Sequence, residues 1–133
     1  MRPDAARLAL AALLVRVART DGLYAAEEVE RIDRVLATRF GLTPFEAVAL
    51  RAEAEVAEAE APDTVRFTRV LKEAVPIEER AGLIEAMWSV ALVDLSRDAD
   101  EDALIRMVAN LLGLTDVESA RARQRSLQDP SAP

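Results

Sequence analysis

A chain of 133 residues with 51% apolar side chains is long enough to bury one sizeable core and too short for two ordinary domains. It contains no cysteine and no histidine, which removes disulfides, thiolate catalysis, Cys-ligated zinc, and the commonest general base and transition-metal ligand. Its net charge of −7 repels phosphate backbones and anionic lipid, so neither nucleic acid nor a membrane surface is an expected partner.

The apolar content is mostly Ala, Leu and Val with aromatics at only 4%, a composition that favours helices packed closely through small side chains. Apolar spacing and stop signals predict about seven helices in one all-α bundle over residues 1–128, with a frayed tail at 129–133. The first helix, from Asp4 to Thr20, is apolar almost all round and should sit at the centre of the core. Within it, Leu8 to Val15 imitates a signal peptide. Eight apolar residues cannot span a bilayer, however, and Asp4, Arg7, Arg16 and Arg19 are wrong for the flanks. No transmembrane segment is expected, and a cytoplasmic location is the default.

Asp21-Gly22 ends the first helix, and the second, Ala25 to Phe40, carries a stripe of Val29, Ile32, Val35, Leu36 and Phe40 before Gly41. Thr43-Pro44-Phe45-Glu46 opens the third with a cap, a first-position proline and a capping-box glutamate. Its expected buried face is Phe45, Val48, Ala49, Ala52 and Val56. Glu53, Glu55, Glu58 and Glu60 spread around the cylinder and read as solvated charge. Pro62 and Asp63 introduce a short fourth helix with Phe67, Val70, Leu71 and Ala74 inward. The fifth, Ile77 to Asp94, has a wide apolar face that includes Met87 and Trp88, both expected in the core. Asp98 and Glu101 suggest a capping box for the sixth, Gly113 stops it, and Thr115-Asp116-Val117-Glu118 starts the seventh. Arg121, Arg123 and Arg125 near its end make only a weak basic patch, since just Arg121 and Arg125 share a face, and cations there also complement the helix dipole. Tyr24, in the first acidic loop, is the aromatic expected to be available for outside contact.

The two halves align. "VARTDGLYAAEEVERIDRVLATRFGLTPFE" parallels "VALVDLSRDADEDALIRMVANLLGLTDVE", so that Asp21 pairs with Asp94, Ile32 with Ile105 and Gly41-Leu42-Thr43 with Gly113-Leu114-Thr115. Such a repeat predicts two helical hairpins about a pseudo-twofold axis.

The segments "ARTDG", "EE" and "FGLT", followed by a second copy after "MWSVALVD", resemble the TerB-like family linked to tellurite resistance, over Leu8 to Leu127. The resemblance implies an all-helical scaffold associated with chemical stress, with acidic residues that hold a metal. By that comparison the acidic positions are Asp21 and Glu28 in the first copy and Asp94 and Glu101 in the second. Leu95 departs from the pattern, since it stands where the first copy has Gly22. With no thiols and no redox-cofactor motif, direct redox chemistry on tellurite is not expected.

Oxygen ligands at a bend between helices suit Ca²⁺ or Mg²⁺, and Asp21, Glu27 and Glu28, or Asp94, Asp98, Asp100, Glu101 and Asp102, supply them. The same acids at helix N-termini also cap free N–H groups and complement the dipole without any ion. Two readings therefore stand: a stress-associated binding or adaptor domain tuned by a divalent cation, and a metal-independent interaction or self-association domain. A protein partner, or a second copy in a homodimer, is expected in either. A carboxylate-based hydrolase is the third reading. Nothing in the chain suggests paired acids across a sugar-binding cleft, and no enzyme is expected.

Overall fold

The computed structural model describes residues 3–20, 22–93 and 99–128. Helices α1 (Pro3–Arg19), α2 (Ala26–Phe40), α3 (Pro44–Glu60), α4 (Val65–Ala74), α5 (Arg80–Ala91), α6 (Ala99–Leu111) and α7 (Asp116–Gln128) follow one another, with a 3-10 turn at Ile77–Glu79 before α5. Among the described residues there is no strand, and no helix is long and apolar enough to cross a membrane.

The bundle is built around α1. Leu10 to Val15, Val17 and Ala18 are wholly buried, as an all-round apolar helix requires, and α1 packs against α2, α3, α4, α5 and α6. Its most extensive partner is α3. α5 is the second inner helix, with Leu83, Ile84, Met87, Trp88, Val90 and Ala91 buried and α7 lying against it. The signal-like stretch is thus core helix.

Helix ends follow the local chemistry closely. Gly41 and Gly113 adopt left-handed backbone at φ 63° and 87°, where a side chain would be strained, and both end their helices by that geometry. Thr43 and Glu46 exchange hydrogen bonds of 3.1 and 2.8 Å across the start of α3, and Thr115 and Glu118 do the same at α7. Asp63 accepts a 3.4 Å bond from the Arg66 N–H at the start of α4. Other carbonyls at helix ends are taken by arginine forks. Arg16 donates to Glu58 O and Ala61 O at the end of α3, and Arg80 donates to Lys72 O, Val75 O and Leu112 O, joining the ends of α4 and α6.

Two expectations are corrected. The fifth helix does not start at Ile77, because Pro76 at the turn leaves an i to i+3 bond from Glu79 N–H to Pro76 O before α-helical geometry begins at Arg80. The buried face of α3 is also not the bulky one. Phe45, Val48, Ala49, Ala52 and Val56 all face solvent, while Ala47 and Ala54 are fully buried and Leu50 packs against the core. Small residues face α1 because they let the two backbones approach, as the alanine-rich composition led one to expect of the bundle generally.

Candidate functional site

The first acidic bend joins α1 to α2. Gly22 carries it with φ 82°, its N–H bonded to Arg19 O at 3.1 Å, and Thr20 Oγ1 donates to Arg16 O at 2.7 Å. Glu28 lies in the first turn of α2 with only 1% of its surface exposed. Its Oε1 accepts the Ala25 N–H at 3.2 Å, half of a capping box, since Ala25 has no side-chain oxygen to return the bond. Glu27, one residue earlier and 100° round the helix, is exposed. The two glutamates of "EE" therefore point apart.

The second acidic segment leads into α6. Glu101 lies in the first turn of α6, also 1% exposed, while Asp100 is exposed and Asp102 half-buried. Asp21, and Asp94 to Asp98 with them, lie outside the described residues, so of the four acids implied by family resemblance the structure describes Glu28 and Glu101. These two belong to helices that each pack on α1 rather than forming an extensive pair with one another. Among the described residues no group of three or more acidic side chains comes within reach of one ion. The chemistry nonetheless fits a hard cation. Carboxylate oxygens are the donors such an ion prefers, and Glu28 brings one carboxylate inward at the first turn of α2.

A second charged constellation beside the first bend was not anticipated as a unit. Tyr24 is half-buried, its hydroxyl donates to Glu55 Oε2 at 2.6 Å, and the Arg19 guanidinium lies 5.0 Å from its ring centre. Arg51 donates to Asp33 and, at 2.9 Å, to Glu55 Oε2; Arg16 and Arg19 both reach Glu58, at 3.0 and 2.7 Å. Two of the four glutamates read as solvated charge, Glu55 and Glu58, are thus consumed in ion pairs, and only Glu53 and Glu60 are exposed. Tyr24 is correspondingly not the free contact its loop position suggested. The sequence signal for this network was present in the arginines at 16, 19 and 51, whose partners become apparent only when α3 is laid against α1 and α2.

The network fixes protonation states. Burial alone would raise the Glu55 carboxyl, but the Tyr24 hydroxyl and the Arg51 guanidinium outweigh it and hold Glu55 below the ordinary carboxylate range. Burial, and then the hydrogen bond and charge of Glu55, push Tyr24 well above the ordinary phenol range. Both groups therefore keep their neutral-pH states over a wide interval, which suits a fixed scaffold better than proton transfer.

Near the C-terminus the arginines have structural partners. Arg125 pairs with Glu85 at 2.8 Å, and Arg123 lies 5.7 Å from the ring centre of Trp88, which is buried as expected.

A protein-family model described as "Tellurite resistance protein TerB" matches residues 7–124. None of the curated proteins and none of the solved structures gives a match.

Proposed function

We propose, from the premise that this chain belongs to the TerB tellurite-resistance family, that it is a stress-associated binding domain rather than an enzyme, with its acidic bends holding a divalent cation. The observation that carries this reading is the inward placement of Glu28 and Glu101, one glutamate in the first turn of each of α2 and α6. Asp21 and Asp94 precede them at the two bends and are proposed to complete the ligand sets with backbone carbonyls and water. The cation is Ca²⁺ or Mg²⁺ on the hardness of these donors. Its role is to neutralise carboxylates gathered at each bend and so fix the loop that a protein partner meets.

A second reading has its own support. The bond from Ala25 N–H to Glu28 Oε1 is what a helix cap does without any metal, and it favours a metal-independent interaction or self-association domain. Melting separates the two. A cation that binds only the folded chain stabilises it by about 2.7 kcal/mol at a hundred times its dissociation constant. Thermal unfolding with chelator, Ca²⁺, Mg²⁺ or Mn²⁺ should show a rise that Asp21→Asn/Glu28→Gln and Asp94→Asn/Glu101→Gln variants lose. Because Glu28→Gln also weakens a cap, the cation-dependent increment decides, not the baseline. Identical melting in every condition rejects the cation and leaves the capping reading.

A further inference from the structure

The outward face of α3 is apolar without a structural need for it. Phe45 is 85% exposed, Val56 58% and Val48 43%, and Ala49 and Ala52 lie between them on the same side of the helix. α7 is the internal comparison. It begins with the same Thr-Glu box and presents Val117, Ala120, Arg121 and Gln124 at the corresponding exposed positions, so a helix in this setting accepts polar residues where α3 has Ala49 and Ala52. A continuous apolar ridge on an exposed helix is the kind of surface that helix-in-groove and helix-pair recognition uses.

The charges beside the ridge select its occupant. Glu46, Glu53 and Glu60 follow at seven-residue intervals along one edge, and Glu46 and Glu53 line a cleft of about 530 Å³ between α3 and the start of α1 together with Asp4 and Arg7, so that carboxylates outnumber the one guanidinium there. Glu46 is engaged with Thr43, while Glu53 and Glu60 have no ion-pair partner among the described residues. Along the other edge Arg51 is neutralised by Asp33 and Glu55. Two copies packed antiparallel would set carboxylates against carboxylates, and packed parallel would set them against an arginine already paired. An anionic membrane is repelled by the same acids. A helix with an apolar seam and cationic residues along one side satisfies both the ridge and its rim.

We propose that the exposed face of α3 docks an amphipathic helix whose apolar seam is flanked on one edge by Lys or Arg at heptad spacing. This deepens the reading as a binding domain but does not depend on the cation.

The probe is a labelled, designed amphipathic peptide with leucine at the two seam positions of each heptad and lysine along one flank, titrated with the full chain by fluorescence anisotropy. A matched peptide with glutamate in place of the lysines is the comparison. The lysine peptide should bind at least about tenfold more tightly than the glutamate peptide, and more weakly as salt rises. Phe45→Ser/Val56→Ser, at exposed positions, should lower that affinity by about tenfold or more with melting unchanged, and Glu53→Lys/Glu60→Lys should reverse the preference. Equal binding of the two peptides, or undiminished binding by the Phe45→Ser/Val56→Ser variant, overturns the proposal. So does sedimentation showing a dimer that this variant dissociates and the lysine peptide cannot displace, which would assign the face to a second copy. Loss of peptide binding with cation-dependent melting intact would sink the docking face alone; the converse would sink the cation alone.

Discussion

Replacing Arg16 by alanine removes a guanidinium that is only 16% exposed and holds the end of α3 against α1. Nε bonds Glu58 Oε2 at 3.0 Å, Nη1 bonds Thr64 Oγ1 at 3.2 Å, and Nη2 bonds Glu58 O and Ala61 O at 3.1 and 3.0 Å, while the cation lies 5.7 Å from the centre of the Phe67 ring. Hydrogen bonds to charged groups contribute about 1.5–3 kcal/mol each, but four on one side chain are not additive, and Glu58 keeps Arg19 as a partner. A loss of about 3 kcal/mol follows, near the lower end for breaking a buried pair. At about 2.1 cal/mol/K of unfolding entropy per residue, that loss lowers the Tm by about 10 °C. Arg16→Lys keeps the charge beside Glu58 and loses the fork that spans two carbonyls, so it should fall between wild type and alanine. Arg69→Ala, at an exposed position, should stay within about 0.5 kcal/mol. Urea and thermal unfolding followed by circular dichroism measure all three. If Arg16→Ala loses less than about 1 kcal/mol, or Arg16→Lys equals wild type, the arginine is not the clasp described.

Tyr24 is the only tyrosine, so tyrosinate absorbance reports it alone, and its titration midpoint in the folded chain should lie well above the ordinary phenol value, with Glu55→Gln bringing it down. Because the folded value is the higher one, this group's contribution to stability is complete below the unfolded pKa and is lost as pH rises through the folded value. Glu55 behaves oppositely: its folded value is lowered, so its contribution is present above the ordinary carboxylate pKa and disappears as pH falls through the folded value. The urea midpoint of Glu55→Gln should accordingly decline less on the acid side than that of wild type. Gly41→Ala has open space for the methyl but a left-handed backbone, so it should destabilise by about 1 kcal/mol in urea unfolding; Gly113→Ala should lose a similar amount from its own left-handed backbone, since Ile77 at 3.4 Å from the added carbon is an ordinary contact. Leu13→Ala, in the middle of α1, should lose about 3–4 kcal/mol by the same assay.

Helix limits were readable because they depend on local chemistry: glycine at left-handed φ, the Thr43–Glu46 and Thr115–Glu118 exchanges, and proline at Pro44 and Pro76 each act within a few residues. The central place of α1 was readable because its apolar residues leave no face for solvent. The facing of α3 was not. Its Phe45, Val48 and Val56 outweigh Ala47 and Ala54 in hydrophobicity, yet close approach to α1 selects by size, and size acts between helices that are far apart in sequence. For the site, acids at both bends were evident, but that Glu28 turns inward while Glu27 turns out depends on the α2 N-terminus folding back on Ala25. The sharing of Glu58 by Arg16 and Arg19 likewise required the tertiary arrangement.

The burial of α1 by helices that all follow it has a consequence for biosynthesis. During translation this oily segment is made well before α5 and α6, which complete its enclosure. Throughout that interval part of the Leu/Ala/Val segment stays uncovered, a demand on the cell's chaperones that the finished bundle no longer makes.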